Sequence, residues 1–269
     1  MDKRAVLIPL LLCSAVTAQQ SNEDQPFKWI TKPGKGVQMA KIDSVYHHGY
    51  SKLIGMGSKF QEDTVLLLND GWSYHGLQVS PADLDVAASR KNEPEEWFKW
   101  KRQGQNVLEQ DPESGKWEEI AGFKVLPADP NERIQITLEA SSSVSFGLAG
   151  SFSSFHTLTL NKGGTFERSG RSIGGSGSTQ ADGGVSVGST STSGKDGCSS
   201  GTSVSGSGVA GGSSSQSDCG KANRGRYKLD GYTAEFQDAS GKTERVLFYF
   251  WDEDKTNLFF GDTTFSKEK

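Results

Sequence analysis

The chain has 269 residues, of which 33% are hydrophobic, and a formal net charge of −4 at pH 7. That length holds one large β domain or two small ones. Acidic and basic residues are interspersed rather than blocked, which leaves no electrostatic footprint for nucleic acid or anionic lipid. Beyond the N-terminus no apolar run approaches the roughly 18 residues a spanning helix requires, so no integral membrane segment is expected.

The opening MDKRAVLIPLLLCSAVTAQQ sets Lys3 and Arg4 before the apolar run Ala5–Leu12, and Val16 and Ala18 before a cut at Gln19. This predicts a secretory signal over residues 1–18 and an exported protein in the periplasm, on the cell surface or in the medium. A lipid anchor on Cys13 ranks second, because the bulky Leu12 precedes it. Two cysteines then remain. An even pair in an oxidising compartment predicts a Cys198–Cys219 disulfide.

Residues 19–39 read as a flexible N-terminal segment, and Ala40–Tyr46 as a strand with Ile42 and Tyr46 on one side. His47 and His48 point to opposite faces of such a strand and read as exposed. A first β-meander unit is expected over 40–126. In it Val65–Leu68 is a short apolar strand, Asn69-Asp70-Gly71 a hairpin turn and Trp72–Tyr74 the return strand. Ser80 caps a helix expected to run to about Arg90, burying Leu84 and Ala87 or Ala88. Trp97–Lys101, Asn106–Gln110, Lys116–Ile120 and Gly122–Leu126 follow as short strands.

Pro127–Asn131 reads as a connector into a second unit over 127–265. Arg133–Ala140 alternates Ile134, Ile136 and Leu138 inward. Leu68-Asn69-Asp70-Gly71-Trp72-Ser73-Tyr74 aligns without a gap on Leu160-Asn161-Lys162-Gly163-Gly164-Thr165-Phe166. Further on, Trp100-Lys101, Gly104 and Gln110-Asp111 fall on Tyr227-Lys228, Gly231 and Gln237-Asp238. One residue of slip then brings Ser114-Gly115-Lys116 onto Ser240-Gly241-Lys242. The matching residues are turn residues and alternating aromatics, which set hairpin register, and they predict an internal repeat. Between its hairpins the second copy carries a Gly/Ser-rich insertion, 169–223. With few large apolar side chains, the insertion reads by default as a mobile excursion; the alternation Val185-Ser186-Val187 supports an ordered ribbon instead. Either way Phe166 and Tyr227 are expected to lie close together. Val246–Trp251 and Asn257–Phe265 read as the last strands.

Chemical motifs are scarce. Ser240-Gly241-Lys242-Thr243 lacks the upstream glycine of a phosphate-binding loop, and Phe236 stands in that place. The four histidines lack metal-ligand spacing, so neither a metal nor a cofactor is expected, and no catalytic residue is assigned. A carboxylate pair such as Glu118 and Glu119 is the sole footing for an exported hydrolase. What stands out is aromatic residues on strands. If the two meanders close into a wide barrel, Trp72, Tyr74, Trp100, Phe166, Tyr227 and Phe236 are the candidate wall of an apolar pocket.

LLLNDGWSYHGL, EPEEWFKWKRQG and GRYKLDGYTAEFQDASGKTERVLFYF resemble segments of poorly characterised bacterial exported proteins that share a DG hairpin, an EPxxW…W segment and a final GRYxLDGYT meander. That last meander also resembles late strands of small lipocalin-like domains. The resemblance covers most of Asp43–Phe265 and implies an all-β, lipocalin-like architecture outside the cytoplasm, without an active site. The expected fold is thus an antiparallel meander barrel or sandwich with one short helix. The expected function is binding of a small apolar ligand, with an envelope structural or protein-interaction module as the alternative; no particular protein partner is indicated.

Overall fold

The computed structural model describes residues 27–54, 57–145, 151–177, 186–206, 209–217 and 219–268. The expected signal peptide, Cys13 within it, and residues 19–26 lie outside these. Among the described residues the protein is all-β, with 61% in strands and one α-helix.

The first unit contains β1 (Ile42–Ile54), β2 (Gly57–Leu68), β3 (Trp72–Tyr74), α1 (Val86–Asn92), β4 (Trp97–Gln103), β5 (Asn106–Gln110), β6 (Trp117–Glu119) and β7 (Phe123–Val125). Its strands form one antiparallel sheet in the order β6-β5-β4-β3-β2-β1-β7, curved into a half-barrel. Both faces of β2 are buried: Leu66 and Leu68 join one apolar cluster, Val65 and Leu67 another. A strand covered on both sides reads as a continuous apolar run rather than as alternation, which accounts for Val65–Leu68.

Three local expectations are corrected here. Residues 27–39 are tied down, not flexible. Lys32 N, Gly36 N and Val37 N donate to Asp83 O (2.6 Å), Ala82 O (2.7 Å) and Pro81 O (2.7 Å), and Ile30 and Val37 are buried. Gly36 permits this contact, since a Cβ there would stand 2.5 Å from Leu84 N. Second, a register shift between Ile42 and Ser44 puts Ile42 and Tyr46 on opposite faces. Third, Ser80 caps only the 3-10 turn Pro81–Asp83, its Oγ accepting from Ala82 N (3.2 Å). Leu84 is extended and buried, bridged to Thr31. The helix begins afresh under Asp85, whose Oδ1 accepts from Ala88 N (3.2 Å). Ala87 is exposed; the buried helix residue is Ser89, whose Oγ accepts from Trp97 Nε1 (3.0 Å).

The second unit contains β8 (Ala128–Glu132), β9 (Ile136–Ser145), β10 (Ser151–Leu160), β11 (Thr165–Gly177), β12 (Ser186–Gly194), β13 (Gly197–Gly206), β14 (Val209–Ser217), β15 (Arg224–Gly231), β16 (Thr233–Asp238), β17 (Thr243–Phe250), β18 (Asn257–Phe260) and β19 (Thr263–Lys267). Strands β9, β10, β11 and β15 to β19 follow one another around an eight-stranded antiparallel barrel, closed by β11–β15 and β19–β9 pairing. The expected connector Pro127–Asn131 largely becomes β8, paired with β15. The expected last strand is two strands about a turn at Gly261. On β17, Phe248 and Phe250 point into the barrel. Leu247 and Tyr249 point out and, with Tyr232 and Phe259, pack against the half-barrel.

The described residues of the Gly/Ser insertion form an antiparallel ribbon of β12, β13 and β14 that prolongs β11, which corrects the expectation of a mobile excursion for them; Val185 lies outside the described residues. No described residue of β12–β14 belongs to an apolar cluster. Its order comes from backbone ladders continued from barrel strands and from the Cys198–Cys219 disulfide, Cα–Cα 5.6 Å. Burial-based reasoning misses such order, because a ladder satisfies its own backbone groups without a core.

Specific backbone bonds recur in the two units. Gly71 N donates to Leu68 O (3.1 Å) and Gly164 N to Asn161 O (2.8 Å); both glycines have positive φ, 81° and 77°. Trp100 N donates to Gly71 O (3.0 Å) and Tyr227 N to Gly164 O (2.9 Å). Asp111 N donates to Lys116 O and Asp238 N to Lys242 O, each 2.9 Å. These bonds join residues that the later alignment block pairs: Trp100 with Tyr227, Asp111 with Asp238 and Lys116 with Lys242. At the first hairpin, however, Gly164 rather than Gly163 takes the place of Gly71, and Phe166 that of Ser73.

Candidate functional site

The six aromatics expected to wall one pocket fall on three surfaces. Phe166, Tyr227 and Phe236 lie inside the barrel, where they pack with Leu138, Leu158, Leu160, Leu229, Phe248, Phe250, Leu258 and Phe260. Phe166 meets Phe236 edge-on at 5.0 Å. The Tyr227 hydroxyl lies 2.9 Å from Ile134 O and 3.0 Å from Asn161 O, while accepting from Ile134 N (3.0 Å). The barrel interior is thus occupied by its own side chains. Trp100 lies on the half-barrel face that corresponds to that interior, its Nε1 donating to Leu68 O (2.9 Å).

Trp72 and Tyr74 lie on the other face of β3. Tyr74 stacks on Trp97 at 4.9 Å and donates to Glu93 Oε2 (2.8 Å); burial, then Glu93, raises its phenol pKa. Arg90 sits over the rings of Trp72 (5.0 Å) and Trp97 (4.6 Å). These groups fasten α1 to the sheet. The expectation of a single pocket wall does not hold: a one-residue register error exchanges the faces of a strand, and the gapless alignment matches Tyr74 to Phe166.

The inner face of the half-barrel carries a charged cluster. His75 Nδ1 lies 2.9 Å from Asp63 Oδ2, and Nε2 lies 2.9 Å from Glu109 Oε2. Gly76 N donates to Asp63 Oδ1 (2.7 Å). The three side chains are 25%, 18% and 14% exposed. Burial by itself would lower the His75 pKa, but the bonds and charges of Asp63 and Glu109 outweigh it and raise it to about 9. Burial would likewise raise Asp63, but the bonds from His75 and Gly76 hold it below the usual carboxylate range. Neighbouring Glu96 is raised, by burial first and then by Asp63, Glu95 and Glu93. With both ring nitrogens engaged and the ring protonated at neutral pH, His75 has no lone pair for a metal or for a proton in general base catalysis. A cleft of about 210 Å3 adjoins the cluster, lined by His48, Phe98, Glu118, Glu119 and Ile120 among others. Glu118 and Glu119 are both exposed.

His47, expected at the surface, is 2% exposed. Its Nδ1 is 2.8 Å from the Tyr249 hydroxyl, across the contact between barrel and half-barrel, and burial lowers its pKa. It is a polar link within the core. Among the described residues no group of three or more His, Cys, Asp or Glu is placed to hold a metal ion.

A cleft with an apolar floor, about 590 Å3, lies between the 32–41 segment, the start of α1 and the β2–β3 turn. Val37, Leu68, Leu84 and Val86 line it, with Lys32, Lys35, Lys41, Asn69, Asp70 and Asp85 at its polar positions. Asn69 holds the hairpin against the segment, its N donating to Lys41 O (2.9 Å) and its Nδ2 to Ala40 O (2.8 Å). The lining includes no Ser, Thr, Cys, His or Tyr, so it offers no hydroxyl, thiol or imidazole nucleophile. This site escaped sequence reading because the residues that build it come from three segments that meet only through tertiary contacts. Asp63, His75 and Glu109 escaped for the same reason: their strands are neighbours only in the folded sheet.

No protein-family model, curated protein or solved structure matched the chain when each was compared with it.

Proposed function

We propose that this chain is an exported binding protein that holds a small apolar ligand in the cleft between the 32–41 segment and α1, rather than inside its barrel. The cleft carries this reading: its volume of about 590 Å3 lies within the range of small-molecule sites, which are apolar with a few placed polar groups. The filled barrel argues against an interior site, and the apolar floor of the cleft supports binding there. The shared strand order and recurring turn bonds support descent of both units from one duplicated meander.

Native mass spectrometry of protein purified without detergent, with a solvent extract alongside, tests the proposal. A stoichiometric small-molecule mass is expected, and it should be absent from Val86→Arg, which fills the cleft. Clean apo masses after incubation with a panel of small apolar compounds, or equal loading of the variant, would overturn it. That outcome would favour the second reading, a structural or interaction module of the envelope, which the filled barrel and the two-sided ribbon support.

A further inference from the structure

Resting on that reading of the cleft, we infer that its ligand is an amphiphile with a compact apolar body and one anionic head, held at the mouth by Lys35 and Lys41. The charges around the cleft do not cancel. Lys32 Nζ is paired with Asp85 Oδ2 (3.1 Å), and Asp70 Oδ2 is paired with Arg90 Nη2 (2.9 Å). Both carboxylates that line the cleft are thus already matched by cations. The side-chain amide of Asn69 is bound to Ala40 O. Lys35 and Lys41 line the same cleft, are exposed, and make no ion pair among the described residues.

Two uncompensated ammonium groups therefore flank an apolar floor, on a chain whose net charge is −4. An ammonium presents three donors and no acceptor, and its hydrogen bonds to a carboxylate or phosphate are about twice as strong as neutral ones. A neutral apolar compound would fill the floor and leave both lysines unanswered. An anionic head on the same body answers them. Backbone bonds hold the segment that carries both lysines, from Gly36 N and Val37 N at one end to Lys41 O at the other, so the rim is in place before a ligand arrives.

A shape-matched pair of fluorescent probes tests this: 1-naphthaleneacetate against 2-(1-naphthyl)ethanol, which share a ring and differ in the anionic head. On the full chain the acid is expected to bind about tenfold or more tightly than the alcohol, with the preference shrinking as salt is added. Lys35→Glu with Lys41→Glu should abolish the preference and leave alcohol binding in place. Lys162→Glu with Lys267→Glu makes the same change in net charge elsewhere and should preserve it. Equal binding of both probes to the native chain overturns the anionic head while the apolar cleft stands. Binding of neither probe at millimolar concentration overturns both readings, as does binding that persists in Val86→Arg for both probes.

Discussion

Trp100 and Tyr227 hold the same place in two sheets. Each donates its own backbone N–H to the carbonyl of a positive-φ glycine, and each turns its polar tip to the carbonyl three residues before that glycine, Leu68 O or Asn161 O. Around them the two units diverge. Tyr227 faces Phe236 across the β15–β16 ladder, whereas Trp100 faces Glu109 across β4–β5. Phe236 sits in a sealed aromatic core; Glu109 bonds His75 beside an open cleft. In the barrel β19 returns to β9 and closes the wall; in the half-barrel β6 and β7 are the two unpaired edges of the sheet. One strand order thus yields a dry interior where the wall closes and tolerates a paired charge cluster where it does not.

The sharpest way to break this comparison is to move the half-barrel residue into the barrel. Phe236→Glu would bury a carboxylate among Phe166, Tyr227 and Phe260, and the cation over that ring, Arg168 at 4.2 Å, is already paired with Glu244 at 3.2 Å. A buried unpaired charge costs several kcal/mol, so loss of the cooperative urea transition, or a drop of at least about 4 kcal/mol, is expected. A change under about 1 kcal/mol would show that the barrel interior admits water and is not sealed.

The next test concerns the charge cluster, and the sign follows from His75. Its folded pKa, about 9, lies above the ordinary 6.5. The stability it contributes is therefore complete below about pH 6.5 and is lost as pH rises through about 9. A shift of this size corresponds to about 3 kcal/mol. Asp63 is shifted the other way, so its contribution is present above the ordinary carboxylate pKa of 3.8 and fades as pH falls through its lowered folded value. Urea midpoints measured from pH 6 to pH 10 should fall in the native chain and be nearly flat over the same range in His75→Gln. Parallel curves for the two proteins would mean that the imidazolium is not held by Asp63 and Glu109.

How much of this could be read in the sequence depended on how far apart the deciding residues were. Local features were legible: the Asn69–Gly71 turn, the inward alternation of Ile134, Ile136 and Leu138, and the doubly buried runs in β2 and β17. The all-β barrel class followed from them. What failed needed a partner from elsewhere in the chain. His47 is buried because Tyr249 covers it, Leu84 stays extended because Thr31 bridges it, and the Gly/Ser ribbon is ordered because β10 and β11 extend into it. The candidate cleft lay wholly in this second class.

The smallest expected effect tests the register itself, which separates the gapless alignment from the folded one. Gly71 and Gly164 both have positive φ, 81° and 77°, while Gly163 does not, and a Cβ on Gly163 meets nothing within 4 Å. An L side chain in the left-handed region costs about 1–2 kcal/mol. Gly71→Ala and Gly164→Ala should each lose about that much in urea unfolding. Gly164→Ala also crowds Arg133, whose guanidinium would stand 2.9 Å from the new Cβ, but that side chain is long and can shift. Gly163→Ala should be neutral or slightly stabilising, because alanine restricts the unfolded chain without straining the folded one. If Gly163→Ala instead proved the costly substitution and Gly164→Ala the silent one, the turn would begin a residue earlier, Tyr74 and Phe166 would become counterparts after all, and the assignment of Ser73, His75 and Glu109 to the face that matches the barrel interior would fall with it.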